Sequence, residues 1–322
     1  MLLSVIVPTY RNRDTIKKCL VSIFNSSFTD FEVIVVDDCS DDDSIDLLKK
    51  FNVKIIRHEH NLGQSAARNT GTKYAKGEIL IFIDSDIEIF PDTLKKIVDF
   101  LTANKDFIAV SGYLSPRCKI PNTLSRYKNL YIYQSYRQEP KVVPWAFTSI
   151  FAIYKYVFDL TEGFNPQIRI IEDTLFGVVL TRAGYKLGFD SSIQVKHLHR
   201  YNLKKFITEE FRRAHNLFIH KLTNMFYRKR APNKNILKNF TISIIILPFL
   251  LLSLLLLFKN PWLTILFLIV FFLINLNFLR YLGNYYGTIF ALKSFFILIL
   301  DIFVCDIAIV IGLLNFLRGK RI

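Results

Sequence analysis

The 322-residue chain changes character near residue 235, and that break limits the folds open to it more than any other feature. From about 236 onward most residues are Leu, Ile, Phe or Val. Ile242 to Phe258 is an apolar run without charge, holding Pro248, and Trp262 to Leu279 is a second. With its flanks, each approaches the ~20 residues that cross a bilayer. Lys259-Asn260-Pro261 forms a turn between them, so 240–258 and 262–279 are expected to make a transmembrane hairpin. A third stretch, 290–317, carries Lys293, Asp301 and Asp306, which are costly in hydrocarbon. It either spans with its acids facing other helices, or lies along or re-enters the cytoplasmic face. The second is preferred, because Arg318, Lys320 and Arg321 then stay inside. A soluble-core reading would leave this apolar mass with nothing to cover.

Residues 1–235 have an ordinary soluble composition. The net charge is +15, and Lys and Arg crowd the boundary, as in Arg228-Lys229-Arg230-Ala231-Pro232-Asn233-Lys234. That crowding suits a cytoplasmic flank. Nucleic acid is the other use of a basic chain, but no nucleic-acid motif is present. Before the linker, Leu203, Phe206, Ile207, Phe211, Ala214, Phe218 and Leu222 recur at helical spacing among Lys204, Lys205, Arg212, Arg213 and Lys221. This predicts a basic amphipathic helix in the membrane interface, or else a core helix. Cys19, Cys39, Cys118 and Cys305 show neither zinc nor disulfide spacing. The first residues are too short for a signal peptide and read as a strand. The expected organisation is 1–200 as an α/β catalytic domain, 201–235 as interface helix and linker, and 236–322 as a helical, multi-pass membrane region, with the catalytic part cytoplasmic.

Within 1–200, strands and helices alternate. Ser4–Val7, Phe31–Val36, Val53–Ile56 and Ile79–Ile83 read as strands; Asp14–Asn25, Ser40–Lys50 and Gln64–Tyr74 read as helices, and Pro91 opens another. That order predicts a Rossmann-like, mostly parallel sheet, with ligands beyond the carboxyl ends of its strands. Those ends are Pro8-Thr9-Tyr10, Asp37-Asp38-Cys39-Ser40 and Asp84-Ser85-Asp86. No G-x-G-x-x-G or Walker sequence follows the first strand, which excludes dinucleotide dehydrogenases and P-loop enzymes. Past residue 107 the pattern is less regular: Thr174–Arg182 reads as a helix, Lys186–Phe189 and Gln194–His197 as short strands.

Asp84 and Asp86 follow a buried strand and fall on one side of an extended backbone. Two like charges that close call for a cation, and Mg²⁺ or Mn²⁺ on hard oxygens, bridging to substrate phosphate, is the natural one. The alternative is a strand end whose acids start the next helix.

These pieces resemble the family-two glycosyltransferases with the GT-A fold, from Ser4 to about His199. The resemblance rests on Ser4-Val5-Ile6-Val7-Pro8-Thr9-Tyr10, on Glu32-Val33-Ile34-Val35-Val36-Asp37-Asp38-Cys39-Ser40, and on Asn61-Leu62-Gly63-Gln64-Ser65-Ala66-Ala67-Arg68-Asn69-Thr70-Gly71. Phe82-Ile83-Asp84-Ser85-Asp86 and Glu172-Asp173 complete it. The resemblance implies a nucleotide-sugar held by Pro8, Thr9, Tyr10, Asp38, Arg68, Asp84 and Ser85, with Thr9 and Asp38 on base and ribose and Arg68 near the diphosphate. It implies Mn²⁺ or Mg²⁺ on Asp86 and Asp84, with His197 or His199 beside it, Asp173 as the base and Glu172 on the acceptor side. Plainer roles remain for these residues: helix capping for Asp38 and Asp173, a surface arginine for Arg68, a strand-end histidine for His197.

The function so implied is metal-dependent, inverting transfer of a sugar, from a UDP-sugar, to a saccharide on a polyprenyl or other lipid carrier at the membrane, in cell-surface glycan synthesis. Alternatives are a polyprenyl-phosphate sugar synthase and a non-catalytic membrane scaffold. Glu210-Phe211-Arg212-Arg213 is not the Gln-x-x-Arg-Trp motif of processive synthases, and the loop after strand one is not that of a pyrophosphorylase.

Overall fold

Seven consecutive buried residues, Leu3–Thr9 (β1), make a strand covered on both faces, as the unbroken apolar run requires. It heads a computed structural model that describes residues 2–137, 139–226, 237–256 and 259–319. The linker at 228–234, Phe258, Lys320 and Arg321 lie outside the described residues. The chain continues through α1 (Arg13–Phe24), β2 (Phe31–Asp37), α2 (Ser44–Leu48), β3 (Lys54–Arg57), α3 (Gln64–Lys73), β4 (Ile79–Phe82), β5 (Ile87–Ile89), α4 (Thr93–Ala103) and β6 (Phe107–Leu114). Then come α5 (Thr123–Tyr136), β7 (Val142–Val143), β8 (Phe151–Tyr154), α6 (Lys155–Asp159), α7 (Glu172–Arg182) and β9 (Lys186–His197). Four helices follow: α8 (Leu203–Phe226), α9 (Lys238–Leu254), α10 (Pro261–Tyr286) and α11 (Thr288–Leu317).

The strands form one sheet in the order β3-β2-β1-β4-β8-β6-β9-β5, with β7 also on β9. The expected parallel half is β3-β2-β1-β4. Beyond β4 the sheet is mixed: β8 runs antiparallel to both neighbours, β6 and β9 are parallel, and β5 is antiparallel to β9. The two short strands expected at 186–189 and 194–197 are one strand, β9, with a register shift opposite Ser111 to Tyr113. That irregularity places Ser191 and Ser192 in the open, which breaks the apolar pattern and hides the continuity.

The residues divide into two compact units, Met1–Lys119 with Tyr136–His199 and Ile120–Ser135 with Arg200–Ile322. The first holds the sheet. The second is helical, and takes residues 120–135 out of the run that builds the sheet.

In the helical unit, α9 has 17 residues with Pro248 inside it, short of a bilayer's ~20. Among the described residues, two helices are long and apolar enough to cross a membrane, α10 and α11, of 26 and 30 residues. The expected segment 240–258 overlaps α9, and the expected segment 262–279 lies within α10, which runs on to Tyr286. The third stretch is one helix, α11, over Thr288–Leu317. Asp301 on α11 is fully buried and accepts a hydrogen bond from Tyr127 Oη on α5 at 3.1 Å. On α8, Phe206 and Ile219 are buried while Lys204, Lys205 and Arg212 are exposed. Its buried Glu210 pairs with Lys128 of α5 at 2.5 Å and with Arg213 at 3.0 Å. A polar tie joins α9 to α10: Asn275 Nδ2 donates to Ser243 Oγ at 2.7 Å, and Asn239 Nδ2 donates to Asn275 Oδ1 at 2.8 Å.

Candidate active site

The carboxyl ends of β1, β2 and β4 open onto a cleft of about 180 Å³ lined by Pro8, Thr9, Tyr10, Asn12, Asp38, Gln64, Ala67, Asp84, Ser85 and Asp86. Of the seven residues expected to hold a nucleotide-sugar, six line it; Arg68 does not. Among the described residues, non-glycine positions with a left-handed backbone are Arg11 (φ 51°), Cys39 (φ 66°) and Ile171 (φ 66°). Each adjoins a motif residue: Tyr10, Asp38 and Glu172. Such strain is rare, above all for a β-branched residue, and persists where the surroundings impose it.

Thr9 is buried, and its Oγ1 has no hydrogen-bond partner, a donor left for something in the cleft. Tyr10 stands at the rim, 36% exposed. The Asp38 carboxylate is engaged by the chain itself. Oδ1 accepts from Leu62 N at 2.9 Å, Oδ2 accepts from Gly63 N at 2.8 Å, and His58 Nδ1 lies 2.8 Å from Oδ1. It thereby shapes the 61–63 loop that leads into α3. It caps no helix: α2 begins at Ser44, and the turn before it is held by Asp37, whose carboxylate accepts from Ser40 N at 3.2 Å.

Arg68, read as a diphosphate contact, is 1% exposed. Its Nη1 donates to Glu172 Oε1 at 2.8 Å and its Nη2 to Asp84 Oδ1 at 2.7 Å. Gln64 Nε2 donates to the same Glu172 oxygen at 2.6 Å, and Ser149 Oγ donates to Asp84 Oδ2 at 3.2 Å. One guanidinium thus serves two carboxylates with Asp86 and Asp173 nearby, and negative charge is in surplus. Burial pushes the Glu172 carboxyl up to about 7, Asp173 adding to the rise and Arg68 opposing it. Burial also raises Asp84, with Arg68 pulling it back and Asp86 pushing further.

Antiparallel pairing of β5 with β9 sets Ile87 opposite His197. Asp86, one residue before, then meets both histidines: His199 Nδ1 at 2.8 Å and His197 Nε2 at 3.5 Å. The two rings stack, with centroids 5.3 Å apart. Burial alone would raise Asp86, but the histidines hold its carboxyl well below the usual carboxylate range. Asp86, His197 and His199 each offer one ligand atom, all within 4.8 Å of one another, and could hold a metal ion. A carboxylate with two imidazoles suits a borderline cation such as Mn²⁺ better than all-oxygen Mg²⁺. His199 is closer to Asp86 than His197 is, and the His-x-His alternation at a strand end was the signal that pairs them.

Glu172 and Asp173 open α7, the buried Glu172 turned to Arg68 and the half-buried Asp173 accepting at Oδ1 from Thr174 N at 2.6 Å. The start of α7 is fixed from both sides. Ser65 Oγ donates to Ile168 O, and Asn69 exchanges two hydrogen bonds with the backbone of Phe164. At Gly177 the helix meets the 145–146 backbone so closely that a Cβ would lie 2.4 Å from Ala146 N.

The family model described as glycosyl transferase family 2 matches residues 4–160. That stretch ends before Glu172, Asp173, His197 and His199, whose place rests on geometry. The chain is 41% identical over 108 residues to the poly(ribitol-phosphate) beta-N-acetylglucosaminyltransferase TarS of Staphylococcus aureus, covering 31% of this chain and 19% of that protein. It is 33% identical over 117 residues to the putative teichuronic acid biosynthesis glycosyltransferase TuaG of Bacillus subtilis, covering 35% and 46%. It thus spans less than half the length of these curated relatives. A solved structure, the mannosyltransferase PcManGT from Pyrobaculum calidifontis in complex with GDP-Man and Mn²⁺, shares the fold at a TM-score of 0.57 and 19% identity, covering 96% of this chain and 86% of that one. With most of the motifs around one cleft, residues 4–160 carry a glycosyl transferase family 2 domain and the chain has a GT-A fold.

Proposed function

We propose that the chain is a membrane-anchored, inverting glycosyltransferase that moves one sugar from a nucleotide-sugar, a UDP-sugar by preference, to a lipid-linked saccharide during cell-surface glycan synthesis. One observation carries this reading. Arg68 bonds Asp84 at 2.7 Å and Glu172 at 2.8 Å, and this link between the proposed metal-side acid and the proposed acceptor-side acid supports a shared site. The names of TarS and TuaG support a role in cell-wall glycans.

Asp86, His197 and His199 would hold the cation, Mn²⁺ or Mg²⁺, with Asp84 beside them. Bound there, the ion would neutralise charge on the departing diphosphate. Thr9 Oγ1 and the Tyr10 ring would receive the nucleoside. Asp173 would accept the proton of the acceptor hydroxyl as that oxygen attacks the anomeric carbon from the face opposite the diphosphate. Glu172, held by Arg68 and Gln64, orients that side of the cleft.

The membrane reading rests on α10 and α11, whose length and apolar surface suit crossing. Large apolar side chains stand exposed along them, Trp262 at 77% and Phe296 at 71% among them. The exposed lysines and arginine of α8 suit a cytoplasmic lipid surface, which keeps the sheet unit on that side.

The test is incubation of the purified chain and Mn²⁺ with a panel of nucleotide-sugars, with and without lipid extract, reading products by mass. A lipid-linked saccharide longer by one sugar is expected. A polyprenyl-phosphate sugar as product would replace the acceptor, and neither product nor nucleotide release from any donor would overturn catalysis in favour of a scaffold.

A further inference from the structure

We propose that Arg68 is a positioning residue that couples the metal-side carboxylate Asp84 to the acceptor-side carboxylate Glu172, so that cation affinity depends on an acid that touches no metal. The inference rests on the transferase reading above and deepens it.

The geometry assigns this role. Arg68 is fully enclosed, at 1% exposure, with Nη1 on Glu172 and Nη2 on Asp84. The guanidinium is planar and rigid, so the two branches cannot turn separately. Its buried Nε has no hydrogen-bond partner, and the Phe164 ring lies 5.4 Å from Cζ. The orientation of the group is therefore set by the two carboxylates. Each of these has one further tie: Gln64 on Glu172 Oε1 and Ser149 on Asp84 Oδ2. Rotation of one carboxylate turns the guanidinium and, with it, the other.

The consequence has a direction. If Glu172 no longer reaches Nη1, the freed Arg68 swings to Asp84 and grips both of its oxygens, as Arg–carboxylate pairs favour. Asp84 then withdraws from the cation beside Asp86, and the cation binds less well. By reciprocity, an occupied metal side tightens the hold of Arg68 on Glu172. The acceptor-side acid is thereby held more firmly when the donor side is filled.

Removing the charge of Glu172 would also weaken a cation through space, so the test separates reach from charge. Mn²⁺ affinity of the full purified chain is titrated by electron paramagnetic resonance of free Mn²⁺, without donor or acceptor, for wild type, Glu172→Asp, Glu172→Gln and Arg68→Lys. Glu172→Asp keeps the charge but shortens the arm. It is expected to raise the Mn²⁺ dissociation constant about fivefold or more, the lower end of coupling between sites. In an Arg68→Lys background, where a single ammonium cannot bridge both acids, Glu172→Asp should add little. Thermal midpoints recorded alongside separate coupling from lost stability, because a merely structural contact moves the midpoint and leaves Mn²⁺ affinity alone. Unchanged Mn²⁺ affinity in Glu172→Asp, or an equal effect of it in both backgrounds, would overturn the coupling. If Arg68→Lys does not fold, Glu172→Asp against Glu172→Gln decides by itself. Wild type that binds no Mn²⁺ would overturn the metal reading and this inference together; wild type that binds it with Glu172→Asp unchanged would overturn this inference alone.

Discussion

Ile87 of β5 faces His197 of β9 in antiparallel register, and that single pairing brings two histidines, 111 and 113 residues further along the chain, onto Asp86. Main-chain hydrogen bonds between the strands thus fix the geometry of a side-chain cluster.

From this follows the first expectation. Asp86→Ala lowers sugar transfer by a factor on the order of 10² or more, because several kcal/mol of charge stabilisation at the diphosphate is lost. His199→Gln weakens Mn²⁺ binding about tenfold or more, and His197→Gln by less, in keeping with distances of 2.8 and 3.5 Å to Asp86. Mn²⁺ titration of the three variants checks this; the reverse order of the two histidines would contradict the geometry.

Asp173→Asn is expected to keep donor binding and lower kcat by a factor on the order of 10² or more, the usual scale for a lost base. The amide oxygen can still accept from Thr174 N, as Oδ1 does at 2.6 Å, so the start of α7 is preserved. Donor affinity by calorimetry and turnover by product mass separate the two. Near wild-type turnover would reduce Asp173 to a helix cap.

The raised carboxyl of Glu172 makes stability depend on pH in a stated direction. Its folded value is about 7 against an ordinary 4.5. Between these the folded chain holds a proton that the unfolded chain has released. Its contribution is therefore full below about 4.5 and is lost as pH rises through about 7, an upper limit of ~3 kcal/mol by linkage. In metal-free buffer, the midpoint of wild type relative to Glu172→Gln should fall as pH climbs through that window. A difference that stays constant, or rises, would show that Glu172 folds fully ionised.

Gly177→Ala is expected to cost about 1–3 kcal/mol, the range for overpacking. The new methyl would meet the backbone of Ala146 at 2.4 Å, and a backbone atom cannot swing aside as a side chain can. Denaturant unfolding measures it. An unshifted midpoint would mean that α7 and the 145–146 segment part easily.

Most of the parallel half of the sheet was legible because β1, β2 and β4 are largely apolar runs closed by Thr9, by Asp37 and, two residues past the strand, by Asp84, where period and punctuation agree. The strands past β6 were harder. β9 is interrupted by exposed Ser191 and Ser192, and its partner β5 has three residues, too few to show a period. The residues of the site could be named from the sequence, but not their partners. That Arg68 spends both branches on carboxylates depends on where α7 begins against α3, a distance of 104 residues that no local pattern encodes. In the apolar region the pattern showed hydrophobicity without ends. Lys259 to Pro261 marked a turn correctly, while α10 ran through Arg280 to Tyr286 because one charge near a helix end does not stop a helix.

The excursion of α5 has a practical consequence for anyone dividing this chain. Residues 120–135 belong to the helical unit although their chain neighbours on both sides build the sheet. Tyr127 and Leu130 are fully buried there, in one cluster with Phe240, Phe271, Phe278 and Leu298. A fragment cut after residue 200 would keep α5 and discard what covers it, baring those side chains and Lys128 to water. Such a truncation is expected to be sticky and poorly soluble however sound its sheet, whereas a fragment that also replaces 120–135 by a short polar loop should stay in solution.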